Sequence, residues 1–356
     1  MSQAGRALSL LIALYAFFVS IFLLSASFEF LGEGFARRLL EATDNPFLGL
    51  FIGILATSMV QSSSTVTSLT VGLVAGGALD VSNAIPIVMG SNMGTSVTNA
   101  LVAAGQIGTR DEFKRAFAAA VVDDFFEIAC IVVLFPLQIT TNFLGLGAGF
   151  LSRTLAEMGG LSWANPLKAV VEPAVALIAA MVAQSGLMML LIALVLLILA
   201  LHQLVRDLKS VLVGRVEVFV DKTLFKTALR AMALGFVLTV LVQSSSVTTS
   251  LAVPMAGIGV LSLAQIFPYA LGANVGTTMT AILAALVTGE EAALTVAFAH
   301  LLYNVVGVGI VWPVRFIPLR LAQALAEQSV RSKLVPLLYV VVVFFAIPIA
   351  FIYFAR

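Results

Sequence analysis

Gln61-Ser-Ser-Ser-Thr-Val-Thr-Ser68 interrupts an otherwise apolar stretch that runs from Phe47 to Val60 before it and from Leu69 to Val74 after it. Far down the chain, Gln243-Ser-Ser-Ser-Val-Thr-Thr-Ser250 does the same. The halves flanking the first run, residues 47–60 and 65–76, would each reach only about 20 Å as helices, against a hydrocarbon core of about 30 Å. Two short halves meeting at a polar tip predict a re-entrant hairpin, which adds no crossing of the bilayer.

The bilayer itself follows from composition. Of 356 residues, 61% are hydrophobic and 10% charged, and the mean hydropathy is +1.10, beyond what a soluble globular surface tolerates. The expected class is an all-α polytopic membrane protein. No basic run interleaved with aromatics accompanies the net charge of +1, so no nucleic-acid partner is expected. A lone Cys130 leaves no internal disulfide or cysteine-only metal site, and two histidines, His202 and His300, make no histidine cluster. No cofactor is expected. Arg6, the apolar run from Ala7 to Phe28 and the small residues Ser25-Ala26-Ser27 raise the alternative of a cleavable signal peptide. At about 22 residues the run exceeds a signal core of ~7–15 and is long enough to span, so it reads as a first transmembrane helix.

Sliding the chain against itself by 182 residues aligns Gly53–Val102 with Gly235–Ala284 without a gap, and 20 of the 50 positions are identical. Biased composition would give roughly four or five matches. The matches include Gln61 with Gln243, Pro86 with Pro268, Gly90 with Gly272, Asn92 with Asn274, Gly94 with Gly276, and Thr95 and Thr98 with Thr277 and Thr280. At a shift of 177, Asp123-Asp-Phe-Phe-Glu127 lies against His300-Leu-Leu-Tyr-Asn304. Three spans fall between the tips, at roughly 84–104, 113–138 and 182–205, and an odd number makes the copies inverted. The basic groups Arg110, Lys114 and Arg115, the six between Arg206 and Arg230, and Arg320, Arg331 and Lys333 then share one side, as cytoplasmic loops do. If each polar run were a full span, the copies would be parallel and the basic loops would divide.

The predicted organisation is thus 1–46, a first transmembrane helix and outer loop; 47–138, repeat 1; 139–230, an outer loop, a linking span and a basic cytoplasmic segment; 231–317, repeat 2; and 318–356, a cytoplasmic loop and last transmembrane helix. Each repeat carries a re-entrant hairpin, a broken helix and a following span. The N-terminus is expected inside.

Broken helices in hydrocarbon are tolerated only where protein or water satisfies the freed backbone groups. In inverted-repeat carriers such breaks meet near mid-depth, where helix N-termini face an anion and hydroxyls or carbonyls ligate a cation. Gly90-Ser-Asn-Met-Gly-Thr-Ser96 and Gly272-Ala-Asn-Val-Gly-Thr-Thr278 predict a second pair of breaks. They are like phosphate loops but lack the lysine. Small residues also allow close helix packing, which is the competing structural reading. Asp123, Asp124 and Glu127 share a helix face at i+3 and i+4 with no basic residue in the same run, and such charges inside a span are functional candidates by default. A serine-nucleophile enzyme would need a base near a tip, and none is close in sequence. An anion channel would also use hydroxyl-lined breaks.

The paired runs, Ala84-Ile-Pro-Ile-Val-Met-Gly-Ser-Asn-Met-Gly-Thr-Ser-Val-Thr-Asn99, and Phe113-Lys-Arg-Ala-Phe-Ala118 leading into Asp124-Phe-Phe126 resemble the type II sodium-dependent phosphate cotransporters, from Asn45-Pro46 to about Arg356. The resemblance implies import of inorganic phosphate coupled to inward sodium flux by alternating access, with no enzyme activity. Carriers of another oxyanion, or coupled to protons, are the alternatives. It implies phosphate-binding tips at Gln61, Ser62, Ser63, Ser64, Gln243, Ser244, Ser245 and Ser246, and Asn92 and Asn274 are expected to bind phosphate with them. Its sodium residues are Gln106, Ser244, Thr277 and Thr280, joined by Thr95, Thr98 and Asp124. The last matches the aspartate of electrogenic members. Asp123, Glu127 and Thr109 depart from the family pattern, which has His, Asn and commonly Asp there. The lack of any Asn-x-Ser/Thr acceptor favours a bacterial member, in the inner membrane.

Overall fold

The computed structural model describes residues 3–31, 43–104, 110–158, 164–212 and 224–355. All regular structure among them is helical. Helix α1 (Gln3–Leu31) leads to α2 (Pro46–Val60) and α3 (Ser63–Ala75), which are separated by Gln61 and Ser62. There follow α4 (Val81–Met93), a 3₁₀ turn at Gly94–Ser96, α5 (Val97–Ala104) and the long α6 (Arg110–Thr141). Next come α7 (Phe143–Glu157), α8 (Ala164–Met181) and α9 (Gly186–Leu212). The second series is α10 (Ala228–Val242), α11 (Ser245–Gly257), α12 (Leu263–Thr288) and α13 (Glu291–Val311). Finally, α14 (Phe316–Arg331) precedes α15 (Leu334–Val341), a π turn at Val342–Ala346 and α16 (Ile347–Phe354).

Among the described residues, five stretches are long and apolar enough to cross a membrane: Leu8–Ser27, Gly186–Asp207, Leu263–Thr288, Glu291–Val311 and Leu334–Phe354. Many large apolar side chains on them face outward, including Leu11, Leu199, Leu338 and Phe351, as a bilayer solvent favours. The polar residues go the other way. Thr67, Ser68, Ser91, Thr248 and Thr278 are completely buried.

The two copies fold alike where their sequences match. Helix α2 packs along α4, and α10 packs along α12. Each contact is a close backbone approach made possible by glycine. A Cβ on Gly53 would strike the carbonyl of Ile87, and one on Gly90 the carbonyl of Leu50; in the second copy Gly235 meets Tyr269 and Gly272 meets Met232 in the same way. The copies also exchange partners. Helix α3 of the first packs on α12 and α13 of the second, while α11 of the second packs on α5 and α6 of the first.

Two expectations need correction. The predicted break at Gly272–Thr278 does not occur, because α12 runs unbroken from Leu263 to Thr288. Only the first copy tightens, into the 3₁₀ turn at Gly94–Ser96. Glycine lowers helix propensity by about 1 kcal/mol, and packing against α10 overrides that. Thr277 and Thr278 further tie their hydroxyls to the carbonyls of Ala273 and Val275 in the same helix, at 3.0 and 2.7 Å. Second, the predicted outer segment is not a plain loop. It contains α7, packed on α13, and α8 precedes the linking span, from which it is parted by Ala183 and Gln184 in left-handed backbone conformation.

At one end of the molecule Lys114 Nζ lies 2.8 Å from Glu327 Oε1, bringing the first and third basic groups together. The Lys114 ammonium holds the Glu327 carboxyl below its ordinary range. A depressed carboxyl stabilises the fold above its unfolded pKa, and that contribution fades as pH falls through the folded value. Both side chains are well exposed, so little is at stake. Lys114→Met is expected to move the melting temperature by less than about 2 °C, measured by thermal unfolding in detergent at pH 7.

Candidate functional site

The two polar tips are built by the same local rules. Gln61 ends α2 in left-handed backbone (φ 58°, ψ 29°), and Gln243 ends α10 almost identically (φ 57°, ψ 28°). Each backbone N–H still bonds back to a threonine carbonyl, Thr57 and Thr239 respectively, at 2.7 Å. The next residue swings to extended backbone and caps the following helix: Ser62 Oγ accepts from the Thr65 N–H at 3.2 Å, and Ser244 Oγ from the Val247 N–H at 3.3 Å. The amides of Ser63 and Ser64, and of Ser245 and Ser246, have no acceptor within their own helices. The tips thus present helix N-termini, with their partial positive charge, flanked by hydroxyls.

The glutamine side chains are pinned in the same way in both copies. Gln61 Nε2 donates to the Ser58 carbonyl, and Gln243 Nε2 to that of Val240. Gln61 Oε1 accepts from Thr98 Oγ1 at 2.7 Å, and Gln243 Oε1 from Thr280 Oγ1 at 2.8 Å. The two tips touch where Ser64 Oγ donates to the Gln243 carbonyl at 3.4 Å, and beyond them Thr249 Oγ1 of α11 donates to Asn99 Oδ1 of α5 at 3.0 Å.

A second layer links each copy's inner helix to the other's polar span. Asn274 Nδ2 donates to Asp123 Oδ1 at 2.8 Å and to Glu127 Oε1 at 3.0 Å, and Tyr303 donates to Glu127 Oε2 at 3.1 Å. At the repeat-equivalent place, His300 Nε2 lies 2.9 Å from Asn92 Oδ1. An amide oxygen only accepts, so Nε2 carries the hydrogen. Asp124 takes a separate direction and accepts from Tyr339 of α15 at 2.8 Å. The expected sharing of one face by all three acids therefore holds for Asp123 and Glu127, which meet at Asn274, while Asp124 bonds the last span.

The structure brings Gln61, Ser62, Ser63, Ser64, Gln243, Ser244, Ser245 and Ser246 to one region and places Thr98 and Thr280 on the two glutamines. Thr277 lies one turn before Thr280 on α12, and Thr95 bonds weakly back to Ser91 at 3.4 Å. Gln106 and Thr109 lie outside the described residues. Sequence reading passed over Thr57 and Thr239. Their hydroxyls are buried without a partner one turn before each tip, and their identity at the 182-residue shift was the available signal. Tyr303 and Tyr339 carried no such sign.

Fold and site together define a multi-pass membrane protein with two matching sets of helices whose polar breaks converge in its interior. The chain matches the family described as Na+/Pi-cotransporter over residues 16–159 and 196–327. It is 34% identical to sodium-dependent phosphate transport protein 2A of Oryctolagus cuniculus over 94% of this chain and 65% of that one. With sodium-dependent phosphate transport protein 2B of Homo sapiens it shares 31% identity over 97% of this chain and 64% of that one. The chain belongs to the Na+/Pi-cotransporter family. It spans just under two thirds of the length of these relatives, and no solved structure matches it.

Proposed function

We propose that the chain is a secondary active transporter that imports inorganic phosphate with sodium, electrogenically, by alternating access between inverted repeats whose tips are re-entrant hairpins. The relatives' sodium-dependent phosphate transport supports the substrate, and the meeting of the two tips at Ser64 and Gln243 carries the reading. Gln61, Ser62, Ser63 and Ser64 with Gln243, Ser244, Ser245 and Ser246 bind phosphate through hydroxyls and helix N-termini. Ser244, Thr277 and Thr280, with Thr95, Thr98, Gln106 and Asp124, supply oxygen ligands to sodium. No Lys or Arg occurs between Pro46 and Ala104 or between Ala231 and Val314. Phosphate charge must then be offset by helix ends and co-bound sodium, which makes sodium a requirement for phosphate affinity. The contact of Lys114 with Glu327, and the 2.5 Å bond from Ser9 of α1 to Asp207 beside Arg206, support an N-terminus on the basic, cytoplasmic side. The membrane is that of a bacterial cell.

Radiolabelled phosphate uptake into proteoliposomes is expected only with an inward sodium gradient and is accelerated by an inside-negative voltage. Equal uptake with sodium replaced by potassium would refute the coupling, and insensitivity to voltage would refute electrogenicity.

A further inference from the structure

Each copy contributes one buried asparagine that the other copy's polar span holds, and the two holds run in opposite chemical directions. Asn274 Nδ2 donates to Asp123 at 2.8 Å and to Glu127 at 3.0 Å. A primary amide nitrogen has two hydrogens, and these two carboxyl oxygens receive one each. Both hydrogens are therefore taken, and only the carbonyl oxygen of Asn274 remains for another partner. Asn92 is the reverse case. Its oxygen accepts from His300 at 2.9 Å, while its Nδ2 is without a partner although the residue is 6% exposed.

The cause lies in the spans. Glu127, pinned by Tyr303, claims the second hydrogen of Asn274. Its counterpart Asn304 instead donates along its own helix to the His300 carbonyl at 3.0 Å, and its Oδ1 is unpartnered, as is His300 Nδ1. Interhelical glue would satisfy both asparagines alike, whereas a buried amide with its hydrogens unspent is a site that expects an acceptor.

We propose that these holds fix the polarity of two subsites: Asn92 is a hydrogen-bond donor to an oxygen of the transported anion, and Asn274 is an oxygen ligand for a cation of sodium type. His300 on one side, and Asp123 with Glu127 on the other, are the positioning residues. The proposal rests on the transport reading above and separates two asparagines that the sequence presents as equivalent.

The test is sodium-driven phosphate uptake in proteoliposomes, with the KM for phosphate and the half-saturating sodium concentration measured separately. Asn92→Leu is expected to raise the phosphate KM about tenfold or more at saturating sodium, and Asn274→Leu to raise half-saturating sodium by a similar factor at saturating phosphate. The double change Asp123→His with Glu127→Asn copies the second hold onto Asn274 and releases its hydrogens. It is expected to weaken sodium while leaving phosphate near the wild-type value. Where a variant is folded but too slow to assay, ligand protection against thermal unfolding reports the same split. Sodium protection disappears in Asn274→Leu and phosphate protection in Asn92→Leu. A structural role would lower the maximal rate or shift both constants together, and either result overturns the assignment. Wild-type vesicles without sodium-driven uptake would instead remove the transport reading, and this assignment with it.

Discussion

Gln61→Gly is expected to leave the protein folded and to reduce sodium-driven phosphate uptake by at least about 100-fold. Two opposing effects act on stability. Gln61 holds φ at 58°, a region that costs a side-chain-bearing residue about 1–2 kcal/mol and glycine almost nothing. Against that relief stand two lost hydrogen bonds, the one from Thr98 and the one to the Ser58 carbonyl, about 1 kcal/mol each. Relief and loss nearly cancel, so thermal unfolding in detergent should shift by no more than a few degrees. Transport has no such compensation. The amide belongs to a tip with no basic residue, and hydrogen bonds to charged groups contribute about 1.5–3 kcal/mol each. Losing the N–H that alone can donate to a phosphate oxygen, together with the Oε1 that holds Thr98, a proposed sodium ligand, approaches the loss quoted. Gln243→Gly should behave alike, since its backbone and its threonine contact are the same. Uptake within threefold of wild type in either variant would remove the glutamines from the site.

These tips were legible in the sequence because the signal is local and doubled. Glutamine and three serines cannot continue an apolar helix without partners, and the 182-residue shift marks both copies. The helix ends at Val60 and Val242 lie next to those residues. What the sequence did not disclose depends on three-dimensional packing. Gly272-Ala-Asn-Val-Gly-Thr-Thr278 has the composition of a break, yet its glycines serve a close contact with α10 and the helix passes through. Helices α7 and α8 were hidden by glycine, serine and proline among their residues. The pairing of Asn274 with Asp123 and Glu127, and of Asn92 with His300, joins positions some 150 and 208 residues apart. The repeat alignment puts the asparagines in register with one another, but the exchange of partners between copies appears only once α11 is seen against α6 and α3 against α12.

That exchange depends on how closely the inner helices of each copy approach, so Gly90→Leu is expected to be among the most damaging substitutions in the chain. A Cβ at Gly90 would overlap the carbonyl of Leu50, with the Ile54 amide nitrogen just beyond. The obstruction is backbone on a packed helix, so it cannot swing aside as a side-chain end would. Helix α4 would have to move off α2, and α4 also packs on α13, the helix of His300. Overpacking that moves backbone costs about 1–3 kcal/mol or more, and a full leucine here belongs above that range. The expected outcome is loss of a monodisperse peak in size-exclusion chromatography. Gly272→Leu should match it, because that glycine meets Met232 in the same manner. Gly77 supplies the contrast. It sits at φ 68° with nothing within 4 Å of its missing Cβ, so Gly77→Ala meets only a backbone penalty of about 1–2 kcal/mol and should remain monodisperse with a modestly lower melting temperature. A Gly90→Leu protein as stable as the Gly77→Ala protein would show that the close approach of α2 and α4 is not what holds the first copy together.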